Sequence, residues 1–142
     1  DLILNKEVNT FLFGSKSEFN DFCYDIVSEL KLKYSYIQRV YVRAEYQYIN
    51  NEYTKYILER YEDTYYPDKI INSGKAAYIE RNFEMIDNSS YCVFYYDENY
   101  IPSNKKGILP NRSVNSGTRI AYDYAKRCRV FIYNVCVWKT GV

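Results

Sequence analysis

Short apolar runs alternate along the chain with segments whose apolar residues recur every three or four positions. Residues 10–13 form an apolar run that stops at Gly14, and Ser15 and Glu18 then have the S-x-x-E spacing of a helix start. The following segment predicts a helix with one apolar face. That face comprises Phe19, Phe22, Cys23, Ile26, Val27 and Leu30. The segment therefore predicts a strand, a tight turn and an amphipathic helix.

The same alternation continues to the end of the chain. Strands are predicted at residues 39–44, 90–96 and 129–135, and the run at 90–96 is typical of a strand buried on both faces of a parallel sheet. Helices are predicted at residues 51–61 and 75–87, and a last one opens at Ser116-Gly117-Thr118. Their predicted inner faces are Tyr53, Tyr56, Ile57 and Tyr61; Ala76, Ile79, Phe83 and Ile86; and Ile120, Ala121, Tyr124 and Ala125.

Strands alternating with helices predict right-handed βαβ units and a mainly parallel sheet. We therefore expect an α/β chain with a Rossmann-like, three-layer α/β/α fold and a sheet of about four to five strands. No linker or internal repeat is apparent, so residues 1–142 are expected to form a single domain. Residues 97–114 are polar and contain two prolines and a glycine, which predicts a long loop.

Three segments are expected to meet beyond the carboxyl ends of the strands, where α/β sheets bind ligands. They are Gly14-Ser15, Asp97 and Ser116-Gly117-Thr118. A helix start presents free N–H groups and a partial positive charge to a phosphate, and a carboxylate accepts hydrogen bonds from ribose hydroxyls. The alternatives are a plain helix cap for the serines and threonine, and a simple loop start for Asp97.

Composition narrows the possible chemistry. The chain has no histidine, which excludes Ser-His-Asp and Cys-His catalysis and imidazole metal sites. We expect no cofactor, no metal and no catalytic residue. The four cysteines form no CxxC pair, and no signal peptide or membrane-spanning run is present, which together predict reduced thiols and a cytoplasmic location.

Tyrosine is the unusual component, with 19 residues. A tyrosine-rich surface suits contacts with bases, sugars or another protein, although an A/T-rich coding sequence is an equally good explanation. The net charge of +1 gives no global case for nucleic acid or for a membrane surface. A basic patch of Lys105, Lys106 and Arg112 with Lys126, Arg127 and Arg129 would permit nucleic-acid binding, but such small clusters are usually solvated charges.

The segment AAYIERNFEMIDNSSYCVFYYDEN, followed after a loop by NSGTRIAYDYA, resembles the SLOG superfamily, which unites DprA/Smf proteins with the Lonely-guy phosphoribohydrolases. Glu80-Arg81 matches two positions of the hydrolases' E-R-K helix motif, and Ser116-Gly117-Thr118 matches the end of their G-G-x-G-T motif. The resemblance spans most of the chain and implies that Arg81 pairs with phosphate or ribose oxygens. The alternative is a solvent-exposed arginine, because Arg81 lies away from the predicted inner face of its helix.

The chain also departs from this family. The catalytic glutamate of the hydrolases falls at Ala121, and Val114-Asn115 replaces their paired glycines. Related stand-alone proteins have an additional first strand, so we expect that the chain is N-terminally shortened or that a partner chain covers the exposed sheet edge.

Three functions are therefore expected, in decreasing order of preference. The first is non-catalytic binding, by sensing or sequestration, of a nucleotide-derived ligand at Gly14, Ser15, Arg81, Asp97 and the Ser116-Gly117-Thr118 helix start. The second is a phage or mobile-element protein that inhibits a host defence protein through a tyrosine-rich surface. The third is a nucleotide N-glycosidase in which Glu80 or Asp123 replaces the lost acid. A homo-oligomer is expected, and a membrane partner is not.

Overall fold

The computed structural model describes residues 1–99 and 116–136. Most of the predicted loop at residues 97–114 and the end of the chain from residue 137 lie outside the described residues. Internal contacts divide the chain into two compact units, unit 1 (Asp1–Arg81) and unit 2 (Asn82–Val142). That the whole chain forms a single domain stays a prediction.

Unit 1 contains a three-stranded parallel sheet and the helices that connect its strands. In chain order its elements are β1 (Thr10–Phe13), α1 (Glu18–Lys33), β2 (Gln38–Val42), α2 (Asn51–Leu58), β3 (Asp63–Tyr65) and the start of α3 (Lys75–Asp87). The sheet order is β1-β2-β3, with Phe13 opposite Tyr41 and Val42 opposite Tyr65. The carboxyl ends of β1 and β2 therefore lie side by side.

Unit 2 contains a two-stranded parallel sheet. After the end of α3 come β4 (Tyr91–Phe94), α4 (Gly117–Arg127) and β5 (Phe131–Asn134). Tyr91 lies opposite Phe131, and Phe94 lies opposite Asn134. The α/β class and the parallel pairing are confirmed and are compatible with a Rossmann-like α/β/α fold. The five strands of the described residues form two small sheets, however, rather than one.

Helix α1 begins two residues later than the capping-box spacing predicted. Its N-cap is Ser17, whose Oγ accepts from the backbone N–H of Asn20 at 3.1 Å, so the prediction that Ser15 caps the helix is wrong. The predicted inner face is only partly correct. Val27 is buried, but Phe22 and Ile26 are 61% and 42% exposed, because the helix turns its Tyr24 side toward the core instead.

Three further predictions need correction. Helix α2 ends at Leu58 rather than at residue 61, and the Tyr61 ring packs on Tyr24 at 5.0 Å between centroids. Strand β3 was not predicted, because its three residues contain no apolar run. Strand β4 is not buried on both faces, since Val93 is 41% exposed.

The cores of the two units are small and apolar. In unit 1, residues Ile3, Phe13, Val27 and Ile37 form the main cluster, and Ala44, Ile70 and Ala77 form a second one. In unit 2, Ala121 and Ala125 of α4 pack with Ile86 and the inner side of the β4–β5 sheet, as the predicted face of this helix required. Burial raises the pKa of Tyr61 to about 12, so its hydroxyl stays neutral within the core of unit 1.

A polar network ties α1, β2 and the residue before β3 together in unit 1. The Arg39 guanidinium donates to both oxygens of Glu62 at 3.0–3.1 Å, and Lys31 Nζ lies 3.0 Å from Glu62 Oε1. Lys31 also donates to the Ile37 carbonyl at 2.6 Å. These are charge-assisted bonds with about 18% exposure at the glutamate, so they stabilise the unit more than surface pairs do.

Among the described residues, no helix combines the length and the apolar character that crossing a membrane requires.

We expect Glu62→Gln to lower the free energy of unfolding at pH 7 by about 1–3 kcal/mol, because it removes a charged acceptor from two cations. Partial burial alone would raise the pKa of Glu62, but the hydrogen bonds from Arg39 and Lys31 hold it below its usual value. A lowered pKa stabilises the fold above the unfolded pKa and loses that contribution as pH falls through the folded pKa. Urea unfolding from pH 7 to pH 3 should therefore show the difference between wild type and variant shrinking in acid.

The matched control is Glu59→Gln, an exposed carboxylate three residues earlier. It should change stability by less than about 0.5 kcal/mol. An equal loss in both variants would contradict the role given to the Arg39–Glu62–Lys31 network.

Candidate functional site

The turn between β1 and α1 forms one wall of a cavity in unit 1. Strand β1 ends at Phe13, and Gly14 is buried, whereas Ser15 and Lys16 are exposed. Ser15 Oγ lies 2.9 Å from Ser17 Oγ and accepts weakly from the Ser17 backbone N–H at 3.4 Å. Since Ser17 caps the helix, the Ser15 hydroxyl is left at the cavity wall.

Arg81 fixes this turn from helix α3. Its side chain is only 5% exposed, and its Nη1 donates to the backbone carbonyl of Gly14. Its guanidinium carbon lies 5.3 Å from the centroid of the Tyr78 ring. Burial lowers the pKa of Arg81, opposed by Tyr41 and Glu45, but an arginine remains charged under such a shift. The solvent-exposed alternative for Arg81 is therefore wrong.

The error came from the predicted inner face of α3. That face was placed on Ala76, Ile79, Phe83 and Ile86, but the buried residues of the helix are Ala77, Arg81 and Ile86. Arg81 follows Ala77 by four residues and so lies on the same side of the helix. A charged residue on a buried helix face is costly unless it is paired, and here the pairing is to the β1–α1 turn.

The loop that follows β2 forms the second wall and depends on Arg43. This arginine is 9% exposed; its Nε donates to Thr64 Oγ1 at 3.2 Å, and its Nη1 donates to the Tyr46 carbonyl at 2.6 Å. Tyr46 has φ of 58°, a conformation that is rare for a bulky side chain and costs of order 1 kcal/mol or more. The contact with Arg43 helps to hold the loop in this strained form.

Together these segments line a cavity of about 340 Å³ that is partly open to solvent. Its lining residues are Gly14, Ser15, Lys16, Tyr41, Arg43, Ala44, Glu45, Tyr46, Tyr53, Tyr78 and Arg81. Three are cations, one is a carboxylate and four are tyrosines. A few polar groups among aromatic side chains, at the carboxyl ends of parallel strands, are typical of a small-molecule site.

The tyrosines form the aromatic part of the cavity. Tyr46 and Tyr53 pack edge to face with centroids 5.8 Å apart, and the Tyr78 hydroxyl donates to Glu45 Oε1. Burial raises the pKa of Tyr41, so its hydroxyl stays protonated at neutral pH. Phenol rings with protonated hydroxyls offer both stacking surface and hydrogen-bond donors to a ligand.

The Ser116-Gly117-Thr118 helix start lies in unit 2, where the predicted helix is confirmed as α4. Ser116 is its N-cap and accepts from the Arg119 backbone N–H at 3.1 Å, so the plain capping role holds for this serine. All three residues are exposed, and a Cβ added at Gly117 would meet no atom within 4 Å. No contact among residues 1–99 and 116–136 requires a glycine there.

Asp97 also lies in unit 2 and begins a turn. Its Oδ1 accepts from the Asn99 backbone N–H at 2.9 Å, as an aspartate at a loop start often does. Of the seven predicted ligand-binding residues, the structure brings Gly14, Ser15 and Arg81 together in one cavity. That Asp97 and the Ser116-Gly117-Thr118 start contact the same ligand stays a prediction.

Sequence reasoning missed most of the second wall. Glu45 and Tyr46 directly follow the strand predicted at residues 39–44, so the rule that ligands bind at carboxyl strand ends would have identified them. Arg43 was predicted inside that strand, but β2 ends at Val42. Lys16 is next to the predicted Gly14-Ser15 turn. Tyr53 and Tyr78 carry no such signal, because helical spacing does not distinguish a tyrosine beside a cavity from one in a core.

The two carboxylates considered as replacement acids have other partners. Glu80 accepts from the backbone N–H groups of Ile71 and Asn72 at 3.0 and 3.2 Å, which helps keep its pKa below the usual value despite desolvation. Asp123 lies 3.9 Å from Arg119 on the exposed side of α4. No cluster of three or more potential metal-ligating side chains occurs in residues 1–99 and 116–136.

Comparison of the chain with protein-family models, with curated proteins and with solved structures gives no match in any of the three.

We expect Arg81→Ala to destabilise unit 1, because the buried Gly14 carbonyl loses its side-chain donor and the helix loses packing. An orphaned buried acceptor alone costs about 1–3 kcal/mol. Urea unfolding should show this loss, and amide hydrogen exchange should show faster exchange at residues 14–17.

Arg127→Ala is the control, since Arg127 is an exposed residue at the end of α4. It should stay within about 0.5 kcal/mol of wild type. Unchanged stability and exchange in Arg81→Ala would contradict the anchoring role of this arginine.

Proposed function

We propose that the chain binds a nucleotide-derived ligand in the unit 1 cavity without hydrolysing it. The observation that carries this proposal is the convergence of the β1–α1 turn, three cationic side chains and four tyrosines on one cavity at the carboxyl ends of β1 and β2. This combination offers a phosphate and an aromatic base separate partners within one site.

The phosphate would be held by Lys16 and Ser15. Lys16 is exposed at the cavity and carries a mobile ammonium group, whereas Arg81 and Arg43 are committed to the Gly14 and Tyr46 carbonyls. The first turn of α1 contains Glu18 and Asp21, which already complement the positive end of the helix. The lysine is therefore the better partner for a phosphate than the helix dipole.

The base would pack against the tyrosines of the cavity. Base–aromatic stacking contributes about 1–3 kcal/mol per base and tolerates any base, so it fixes the class of ligand rather than its identity. A volume of about 340 Å³ is at the small end of ligand sites, which span about 300–1,000 Å³. It favours a mononucleotide over a dinucleotide.

The positions and partners of the carboxylates that could serve as a catalytic acid support binding without hydrolysis. If the chain is a SLOG protein, as Glu80-Arg81 and Ser116-Gly117-Thr118 suggest, its catalytic glutamate is replaced by Ala121, which is buried in the core of unit 2. Glu80 is engaged by backbone N–H groups and holds its proton weakly, which suits an acceptor better than a general acid.

The test is a thermal-shift screen of wild type and Lys16→Ala against AMP, ADP-ribose, NAD and cyclic dinucleotides. A ligand at about 100 times its Kd stabilises the folded state by roughly 2.7 kcal/mol, which raises Tm by a few degrees. We expect a shift with a mononucleotide that is strongly reduced in Lys16→Ala and retained in Lys6→Ala, an exposed lysine outside the cavity.

A third variant, Gly117→Ala, tests the helix start of unit 2. Because the added Cβ meets open space and alanine favours helices, the variant should fold with unchanged or slightly higher stability. A weaker shift in this variant would assign a ligand contact to the Ser116-Gly117-Thr118 start. No shift with any nucleotide in wild type would overturn the proposed function.

A second candidate function is self-association through the β4–β5 sheet. Its inner face, with Cys92 and Ile132, packs on the unit 2 core, whereas its outer face carries Val93 and Phe131, which are 41% and 69% exposed. Tyr91 stacks on Phe131 at 5.6 Å between centroids and extends this outer face. In a two-fold symmetric dimer the same patch of each subunit contacts its copy, and an uncharged apolar patch can do so without repulsion.

Phe131→Lys should convert such a dimer to a monomer, because it places two like charges in a symmetric interface. Light scattering coupled to size-exclusion chromatography measures the mass directly. Tyr48→Lys is the control, since Tyr48 is 88% exposed in unit 1. A wild-type monomer at high concentration, or a dimer that survives Phe131→Lys, would rule out this interface.

A further inference from the structure

Glu45 is the one acidic residue among the described residues that line the unit 1 cavity. It follows strand β2 by three positions, next to the buried Ala44 and the strained Tyr46. A phosphate would be repelled by this carboxylate and has Lys16 as a better partner in the same cavity. Glu45 is therefore better suited to accept hydrogen bonds from an uncharged part of the ligand.

The Glu45 carboxylate is oriented by helix α3. Its Oε1 accepts from the hydroxyl of Tyr78, a residue that also packs against the Arg81 guanidinium. A carboxylate has about four acceptor positions on its two oxygens, so one bond from a tyrosine leaves capacity for further donors. A side chain held in this way loses little conformational freedom when a ligand arrives.

We propose that Glu45 accepts hydrogen bonds from the vicinal hydroxyls of a ribose and so makes the site selective for ribonucleotides over deoxyribonucleotides. Two adjacent hydroxyls are neutral donors that can bond to one carboxylate together. In dinucleotide-binding Rossmann folds, an acidic residue beyond the phosphate turn accepts from the ribose 2′-hydroxyl in a comparable way. This inference rests on the proposed binding of a nucleotide in the same cavity.

The experiment measures Kd by isothermal titration calorimetry for the four common ribonucleoside monophosphates, each against its 2′-deoxy counterpart. We expect the deoxy form to bind roughly 10 to 100 times more weakly, the loss of one hydrogen bond to a charged acceptor. Glu45→Gln should weaken ribonucleotide binding by about the same factor of 10 to 100, and it should bring the two sugars close to equal affinity, because the neutral amide is a poorer acceptor.

Two variants separate this effect from a change of fold. Glu45→Gln keeps an oxygen that can accept from Tyr78, so circular dichroism and Tm should stay near wild type. Glu59→Gln, an exposed carboxylate outside the cavity, should leave both affinities unchanged. Tyr78→Phe removes the hydroxyl that orients Glu45 and should reduce the preference for ribose without abolishing binding.

The outcomes distinguish the inference from the function on which it rests. Equal binding of ribose and deoxyribose forms by wild type would overturn the role of Glu45 and leave nucleotide binding standing. A ribose preference that persists in Glu45→Gln would do the same. Failure of every nucleoside monophosphate to bind would overturn both proposals.

Discussion

The bond from the Arg81 guanidinium to the Gly14 carbonyl holds one wall of the cavity in place. It connects a helix to the turn after the first strand across 67 positions of sequence. A buried guanidinium is costly unless it is hydrogen-bonded, so this contact constrains both the face that α3 presents and the path of the β1–α1 turn. The second wall depends in the same way on Arg43 and the Tyr46 carbonyl.

The polar residues of the cavity have two different roles. Arg81 and Arg43 shape the walls, while Lys16, Ser15 and Glu45 are the polar side chains best placed to meet a ligand. The tyrosines supply apolar ring surface, and their hydroxyls can still hydrogen-bond to water. Such a site separates the residues that set its shape from those that set its selectivity.

The sequence predicted the strongest elements well. Strand β1 and helix α3 have the predicted bounds, because an apolar run ending in glycine and a continuous helical pattern are local signals. It predicted less well which helix face is buried. On α1 and α3, neighbouring faces share the apolar periodicity, so the sequence does not decide which face is buried. Tertiary packing buries the face with Tyr24 on α1 and the face with Arg81 on α3.

Local patterns also miss features that arise only between distant segments. Strand β3 forms because Asp63–Tyr65 pairs with β2, not because its three residues favour a strand. The Gly14-Ser15 turn was predicted to meet Asp97 and the Ser116-Gly117-Thr118 helix start at the carboxyl ends of the strands. Its partners in the cavity come from the loop after β2 and from α3, and no spacing in the sequence links them.

The positive φ of Tyr46 has a consequence for how the cavity exists before any ligand enters. The Arg43 contact helps to hold the loop in this strained conformation, which costs fold stability. The free energy needed to order the rim has thus been supplied during folding. Preorganisation of this kind lets a small molecule bind with a smaller entropic penalty. Affinity for a ligand then depends in part on Arg43, through the bond that this residue makes to the Tyr46 carbonyl.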